Sequence, residues 1–242
     1  KGKTILKNCA IEPEIIDLTN FLKLAGANIN WTGKRICEIK GIDTLNEIEY
    51  SIMGDRIEAG TFCIAAVVSR GSLLIKNFDP KLIRKEITFL KKVGAKIKIF
   101  KNQIFIEGPK KIKNITNINT NAYPLSLATD LQAQFMVLLC LANGRSSITE
   151  NIFENRFMHV AELRRLGAKI SIKGNKAIVD GPTQFNGAEL MSSDLRASVA
   201  LVIASIIAKG ESIINRIYHL DRGYEEIEKK FKKIGVKIKR IN

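Results

Sequence analysis

A short motif built around glycine recurs four times in the chain, and it constrains the fold more than any other feature. The motif reads LAGANIN, KVGAKIK, RLGAKIS and KIGVKIK, and its glycines are Gly26, Gly94, Gly167 and Gly235. These glycines lie 68, 73 and 68 residues apart. Self-similarity at a long, regular interval is typical of folds that use one supersecondary unit repeatedly. The sequence therefore predicts a repeated unit of about 70 residues.

Other segments of the chain align with the same repeat. Residues 55–71, 130–144 and 194–210 each begin with aspartate, continue through apolar residues and end at glycine. These stretches are apolar on nearly every side, which predicts buried helices. The spacing of apolar residues then predicts a strand, an amphipathic helix and a two-strand hairpin. We therefore expect an α/β (α+β) fold of helix-strand-helix-strand-strand units around buried helices, with the last copy ending after its first hairpin strand.

The first copy of the unit lacks its buried helix. Residues 1–8 match residues 70–77, which directly follow such a helix, and the chain does not begin with Met. We expect residues 1–54 to be the C-terminal portion of a first domain that begins upstream. Residues 55–242 contain three copies and are predicted to form the second domain. The expected architecture therefore has two domains, the first of them incomplete.

Composition and charge limit the classes of function. The chain has 242 residues, 45% hydrophobic and 26% charged, which fits a globular protein. The longest apolar run is too short to span a membrane, and residues 1–8 contain no apolar run of signal-peptide length, so we expect a cytoplasmic protein without a membrane partner. The net charge of +15 would favour binding to nucleic acid, but many of the lysines lie on predicted solvent faces without interleaved aromatic residues. We therefore expect no nucleic-acid partner. Four cysteines without metal or disulfide spacing predict buried, reduced thiols.

Polar residues that only some copies carry fall at two positions of the unit. One position opens the buried helix, and the other lies between the following strand and the amphipathic helix. Because that strand runs back along the buried helix, both positions should meet at one edge, which we call the polar rim. Its members are Asp55, Arg56, Asp130, Gln132, Asp194, Arg196, Glu12, Glu14, Glu154, Asn155, Arg156, Asp221 and Arg222. Arginines beside helix N-termini suit a phosphate or carboxylate ligand, and carboxylates supply acid or base groups.

Several of these residues have a purely structural alternative. Asp55, Asp130 and Asp194 stand where aspartate commonly caps a helix. His159 and His219 have no cysteine or second histidine at metal-ligand spacing, so packing or hydrogen bonding is the expected role and no metal site is predicted.

The polar rim segments resemble the UDP-N-acetylglucosamine 1-carboxyvinyltransferase family of enolpyruvyl transferases. The matching segments are ENRFMHVAELRRLGA (154–168), SDLRAS (193–198), IYHLDRGYE (217–225), EPEIIDLTNFL (12–22), DRIEAGTF (55–62) and TDLQAQF (129–135). The resemblance runs along the whole chain in order. It implies two similar domains, each an inside-out α/β barrel of three units, with the substrates in the cleft between them. It also implies that an upstream half completes that cleft.

The resemblance further implies a reaction. The enolpyruvyl group of phosphoenolpyruvate is transferred to the 3′-hydroxyl of UDP-N-acetylglucosamine, phosphate is released, and no metal or other cofactor takes part. This is the first committed step of peptidoglycan synthesis. The shikimate-pathway enolpyruvyl transferase, which shares the fold, is an alternative. A different class of alternative is a non-catalytic basic repeat protein that binds RNA or an acidic partner.

Roles for single residues follow from the same resemblance. Asp130 would contact the 3′-hydroxyl and act as the base, and Asp194 would help to order the site. Arg156 and Arg196 would hold the carboxylate of phosphoenolpyruvate, and Arg222 its phosphate end. The remaining matches are Ile152 and Phe153, which would line the uridine-nucleotide pocket, and Glu12, Glu14 and Asp55, which would lie near the interdomain junction.

Overall fold

The repeated unit appears as predicted in the computed structural model, which describes residues 1–241. The first copy has the expected strand, amphipathic helix and hairpin. Its elements are β1 (Lys3–Lys7), α1 (Pro13–Leu24), β2 (Asn28–Gly33) and β3 (Ile36–Lys40). The second copy adds the buried helix and is complete. Its elements are α2 (Arg56–Val68), β4 (Ser72–Lys76), α3 (Arg84–Lys92), β5 (Lys96–Phe100) and β6 (Gln103–Glu107).

The third and fourth copies each begin with a short strand that the sequence did not predict. The third contains β7 (Ile118–Asn119), α4 (Gln132–Cys140), β8 (Arg145–Thr149), α5 (His159–Arg165), β9 (Ile170–Lys173) and β10 (Lys176–Asp180). The fourth contains β11 (Glu189–Met191), α6 (Leu195–Ile206), β12 (Ile213–Asn215) and α7 (Ile227–Lys233). The two additional strands pair in parallel with the strands that follow the buried helices, β7 with β8 and β11 with β12. In each pair, the buried helix lies between the two strands in the chain and forms the crossover connection that parallel strands need.

The sheets of the first three copies share one strand order. They run β1-β3-β2, β4-β6-β5 and β8-β10-β9, and all of these pairs are antiparallel. The second hairpin strand thus always occupies the middle of its sheet. Each unit uses that central strand to fix the two strands beside it.

The hairpin strand predicted for the end of the fourth copy is not formed, because residues 236–241 adopt no strand. A strand is stable only when its N–H and C=O groups are paired, and in the other copies the central strand supplies those groups. Within residues 1–241, no strand pairs with this segment of the fourth copy. Ile234 follows the end of α7 and is 45% exposed.

The three buried helices α2, α4 and α6 pack against one another at the centre of the molecule. All residues of α4 are buried, so it makes apolar contacts on every side. The sheets and the amphipathic helices α3, α5 and α7 cover this centre, which is the inside-out arrangement expected. The main apolar core runs from Ala59 to Phe231, outside the first copy. Each fully buried large side chain stabilises such a core by roughly 1.5–3 kcal/mol.

The recurring glycines end the amphipathic helices. Gly26, Gly94, Gly167 and Gly235 have φ angles of +102°, +106°, +105° and +95°. Residues with a side chain rarely adopt this conformation, whereas glycine does so without strain. The motif that revealed the repeat is therefore a helix stop followed by the turn into the hairpin.

The cysteines and the helix lengths can also be compared with the predictions. Cys37, Cys63 and Cys140 are buried free thiols, as expected, while Cys9 is free but only partly buried. Burial raises the pKa of the Cys63 and Cys140 thiols to about 12. Within residues 1–241, no helix combines the length and the apolar character needed to cross a bilayer.

Candidate active site

Two of the three aspartates that open the buried helices act as helix caps. Asp55 accepts hydrogen bonds from the backbone N–H groups of Ile57, at 2.7 Å, and Glu58, at 3.0 Å. Asp194 accepts in the same way from Arg196, at 2.8 Å, and Ala197, at 3.0 Å. A side-chain oxygen in this position pairs N–H groups that have no partner within the helix.

Asp130 is placed differently from these two aspartates. It lies inside a short 3₁₀ turn, Thr129–Leu131, that precedes α4, and it does not cap the helix. Its Oδ1 atom accepts a hydrogen bond from Nη2 of Arg156 at 2.7 Å and one from Nε of Arg196 at 2.9 Å. The structure therefore brings together one predicted base and two predicted anion-binding arginines from two different copies of the unit.

The electrostatic balance of this group favours an anionic ligand. Burial alone would raise the pKa of the Asp130 carboxyl, but the hydrogen bonds and charges of Arg196 and Arg156 outweigh burial and lower the pKa below its ordinary value. Two guanidinium groups face one carboxylate, which leaves an excess of positive charge. Arg156 also lies over the ring of Phe153, 4.4 Å from its centroid, which fixes the guanidinium plane. Such a pair of arginines suits a carboxylate or phosphate.

A second ion pair lies deeper in the polar rim and connects the first copy to the second. Arg56 donates from Nε and Nη2 to the two carboxylate oxygens of Glu14, each at 2.8 Å. The Arg56 side chain is only 6% exposed and lies 5.8 Å from the centroid of the Tyr123 ring. Burial would raise the pKa of Glu14, but the bond from Arg56 lowers it overall. This bidentate pair joins α1 to the start of α2.

Two cavities flank the Asp130–Arg156 contact. The first has a volume of about 560 Å³; Glu14, Arg56, Asp130 and Arg196 line it together with apolar side chains such as Phe21. The second has a volume of about 830 Å³, and Ile152, Phe153 and Arg156 are among its lining residues. Asp130 borders one cavity and its partner Arg156 borders the other. The Asp130–Arg156 contact therefore joins a residue of the first cavity to a residue of the second.

Arg222 and Glu12 lie outside the cluster formed by Asp130, Arg156 and Arg196. Arg222 is exposed and adjoins Gly223, which lines the first cavity. Its neighbour Asp221 is already paired with Arg240, at 2.6 and 2.9 Å. Glu12 precedes α1, and its Oε2 atom is buried and has no hydrogen-bond partner among the described residues.

Two buried carboxylates support the site, although the sequence interpretation did not single them out. Glu86 is 4% exposed, and its Oε1 atom accepts a hydrogen bond from the backbone N–H of Ala128 at 3.0 Å. Burial raises its pKa, and that hydrogen bond offsets only part of the increase. Glu150, 2% exposed, follows β8 and binds Thr129. The helical spacing of Glu86 from Ile83 and Leu90 places it on the buried face and could have revealed it. No comparable periodicity marks Glu150.

The chemistry available to this group is proton transfer beside a bound anion. A carboxylate held by two arginines is a weak base, because its charged form is stabilised. An anionic ligand that takes over the guanidinium groups would release the carboxylate to accept a proton. Among the histidines, cysteines and acidic residues described in the structure, no set of three or more is arranged to hold a metal ion. A metal-free reaction remains a prediction.

Comparison with known proteins identifies the family. Residues 1–231 match the family described as EPSP synthase (3-phosphoshikimate 1-carboxyvinyltransferase). Two curated relatives are named UDP-N-acetylglucosamine 1-carboxyvinyltransferase. The one from Pelagibacter ubique (strain HTCC1062) is 64% identical over the whole chain, and the one from Endomicrobium trichonymphae is 48% identical. The chain spans 58% and 57% of the length of these two relatives.

Solved structures show the same fold at lower identity. The enolpyruvyl transferase NikO from Streptomyces tendae has a TM-score of 0.87 and 24% identity, and the match covers 98% of this chain and 57% of NikO. An EPSP synthase from Acinetobacter baumannii has a TM-score of 0.79 and 18% identity, with 100% of this chain and 58% of that chain covered. The chain belongs to the EPSP synthase family of enolpyruvyl transferases.

Proposed function

We propose that the full-length protein containing this chain transfers the enolpyruvyl group of phosphoenolpyruvate to the 3′-hydroxyl of UDP-N-acetylglucosamine. The reaction would release phosphate in the cytoplasm, at the first committed step of peptidoglycan synthesis. The names of the two curated relatives support this acceptor, and so does their identity to the chain of 64% and 48%. The observation that carries the proposal is the Asp130 carboxylate bound by Arg156 and Arg196.

The proposed reaction needs a proton acceptor and cationic groups at one place. The 3′-oxygen forms a bond to C2 of phosphoenolpyruvate, the bond from C2 to the phosphate oxygen breaks, and phosphate departs. In our proposal Asp130 accepts the hydroxyl proton, while Arg156 and Arg196 bind the carboxylate of phosphoenolpyruvate. Because that carboxylate competes with Asp130 for the same two guanidinium groups, binding of phosphoenolpyruvate also frees the base.

The other candidate residues have supporting parts in this proposal. Arg222 is exposed and adjoins Gly223 of the first cavity, so we assign its guanidinium to the phosphate end of phosphoenolpyruvate. Asp194 orders the site through α6, because it caps the helix whose first turn carries Arg196. Ile152 and Phe153, exposed in the second cavity, are assigned to the uridine nucleotide. Glu12, Glu14 and Asp55 are assigned to the junction between domains.

We also propose the domain boundary near residue 54. The main core begins at Ala59, and the first copy contributes only small buried apolar patches such as Ala25 and Ile29. Leu18 and Leu24 of α1 are 51% and 57% exposed. In the proposed full-length protein, the part of the relatives that this chain does not span would complete this first domain and the cleft.

The test is the release of phosphate by the full-length protein. We expect release with phosphoenolpyruvate plus UDP-N-acetylglucosamine and none with shikimate 3-phosphate as the acceptor. Asp130→Asn removes the base, so turnover should fall roughly 10²–10⁴-fold. Thermal stabilisation by UDP-N-acetylglucosamine should persist in this variant, because the nucleotide pocket is unchanged.

The control for this substitution is Asp180→Asn. Asp180 lies on β10 and pairs with Arg145 at an exposed site, so its loss should leave turnover unchanged. Turnover of Asp130→Asn close to that of the unaltered protein would refute the assignment of the base. Phosphate release from phosphoenolpyruvate with shikimate 3-phosphate, but not with UDP-N-acetylglucosamine, would favour the shikimate-pathway transferase. Thermal stabilisation by RNA and by neither acceptor would favour the non-catalytic basic repeat protein.

A further inference from the structure

A buried carboxylate that no step of the proposed reaction uses lies directly behind the Asp130 turn. Glu150 is 2% exposed and accepts four hydrogen bonds, all from uncharged donors. Burying a carboxylate costs free energy unless its oxygens are fully hydrogen-bonded. The four hydrogen bonds offset this cost and hold the Glu150 side chain in one position.

The four donors belong to three different parts of the site. Oε1 accepts from the Thr120 hydroxyl at 2.7 Å and from the backbone N–H groups of Ile152 and Phe153 at 2.9 and 3.2 Å. Oε2 accepts from the hydroxyl of Thr129 at 2.9 Å. Thr129 immediately precedes Asp130, whereas Ile152 and Phe153 line the second cavity. One carboxylate therefore connects the two regions that would hold the two reacting substrates.

These contacts form a closed circuit with the functional residues. Glu150 holds Thr129, whose neighbour Asp130 binds Arg156 at 2.7 Å. Arg156 in turn lies over the ring of Phe153, and the backbone N–H of Phe153 donates a hydrogen bond to Glu150. Glu150 is itself fixed at its backbone, where its N–H and C=O groups both bond to Asn175. In such a circuit, a displacement at Glu150 moves the carboxylate of Asp130 relative to the cavity.

We propose that Glu150 is a positioning residue that sets the distance between Asp130 and the nucleotide pocket at Ile152 and Phe153. The proposal rests on the function proposed above. The important property of the side chain is its length, since both oxygens must reach donors on opposite sides. Its negative charge is secondary, because none of the four donors is charged.

This distinction gives a sharp test with two conservative variants of the full-length protein. Glu150→Asp keeps the charge but is one methylene shorter, so it cannot reach Thr129 and the backbone of Ile152 together. Glu150→Gln keeps the length. Its amide oxygen can accept the bonds made by Oε1, and its NH₂ group can donate to the Thr129 hydroxyl, which also accepts.

We expect Glu150→Asp to lower kcat ~30-fold while KM for UDP-N-acetylglucosamine changes less than ~3-fold, since small misplacements of reacting groups act mainly on kcat. Glu150→Gln should remain within ~5-fold of the unaltered kcat on the same argument. Thr149→Val is the matched control, because its hydroxyl donates to Asn117 and, among the described residues, makes no bond to the Asp130 turn. The control should leave both kinetic constants unchanged.

Two outcomes overturn the proposal. One is an unaltered kcat in Glu150→Asp, and the other is a larger loss in Glu150→Gln than in Glu150→Asp, which would assign importance to the charge. A crystal structure of Glu150→Asp without substrates tests the position independently of activity. We expect its Asp130–Arg156 contact to be broken, and an intact contact refutes the proposal. An unaltered protein that releases no phosphate with UDP-N-acetylglucosamine refutes the proposed function instead, and the crystallographic test of Glu150 still applies.

Discussion

Asp130 is held in the unliganded site in a state that opposes its proposed chemistry. Two arginines stabilise its charged form and lower its pKa, whereas a base must take up a proton. The conflict disappears if the ligand is the competing anion. The carboxylate of phosphoenolpyruvate would then occupy Arg156 and Arg196 in place of Asp130. The base would become effective only when the co-substrate is present.

This argument predicts a pKa change on ligand binding. With the arginines bound to it, the Asp130 carboxyl has a pKa below its ordinary value, because the arginines outweigh burial. With phosphoenolpyruvate bound and no sugar nucleotide present, the arginines are engaged elsewhere and burial remains, so the pKa should rise. Carbon-13 NMR titration of the aspartate carboxyls in the full-length protein measures both values, with Asp130→Asn to assign the signal.

Asp180 is the internal reference for that titration. Arg145 lowers its pKa at an exposed site on β10, so phosphoenolpyruvate should leave its titration unchanged. A pKa of Asp130 that does not move at saturating phosphoenolpyruvate would contradict the exchange of partners. The proton would then have to leave the hydroxyl by another route.

At the scale of single elements, the helix caps separate structural from chemical aspartates. Asp194→Ala should lower the free energy of unfolding by about 1 kcal/mol, because two N–H groups at the start of α6 lose their acceptor. Asp194→Asn should cost much less, because asparagine caps a helix nearly as well. Chemical denaturation of the full-length protein measures both. Equal losses in the two variants would show that the charge of Asp194, and not the cap, stabilises the helix.

The elements that the sequence predicted best are those with the strongest periodicity. The buried helices α2, α4 and α6 are apolar on nearly every side, and the amphipathic helices end at recurring glycines. The strands β7 and β11 were missed because two or three residues carry no alternation to detect. The terminal strand was wrongly predicted because its residues have strand character but no partner to pair with. Pairing is a property of the whole sheet and is not visible in one segment.

The candidate site was predictable to a similar degree. The repeat placed the polar residues at one edge, since the ends of antiparallel elements meet there. It did not distinguish Asp130 from Asp55 and Asp194, which occupy equivalent positions in their units. Only the 3₁₀ turn before α4 turns the carboxylate of Asp130 away from its own helix. Glu150 was missed because its hydrogen-bond partners come from separate segments, after β7, after β8 and in the turn at Asp130. These segments become neighbours only in the folded structure.

For the whole molecule, the packing of three units explains why the charged groups converge. The buried helices α2, α4 and α6 begin at the same edge, so Arg56, Asp130 and Arg196 lie near one another although they are far apart in sequence. Each helix N-terminus also adds partial positive charge to this edge. The scaffold thus concentrates cationic character before any single side chain is considered. The residues that differ between the copies then select the ligand.

Apolar residues of α1 border the first cavity, and this leads to a prediction for the molecule as a whole. Leu18 and Phe21 of α1 line that cavity and are 51% and 37% exposed. We expect the rest of the full-length protein to cover them and to supply the opposite face of the cleft. Residues 1–242 alone should therefore release no phosphate from phosphoenolpyruvate and UDP-N-acetylglucosamine, whereas the full-length protein does.

Co-expression of residues 1–242 with the part of the full-length protein that they do not include should restore the release, because that part would dock on the apolar side of α1. Leu18→Lys in the shorter chain should prevent this restoration, since a charge would be buried in the contact. Leu74→Lys, at an exposed apolar residue of β4, is the matched control and should permit it. Circular dichroism of each shorter chain must show folded protein, so that inactivity reflects the incomplete cleft. Phosphate release by the folded shorter chain alone, at the rate of the full-length protein, would show that the site is complete within these residues.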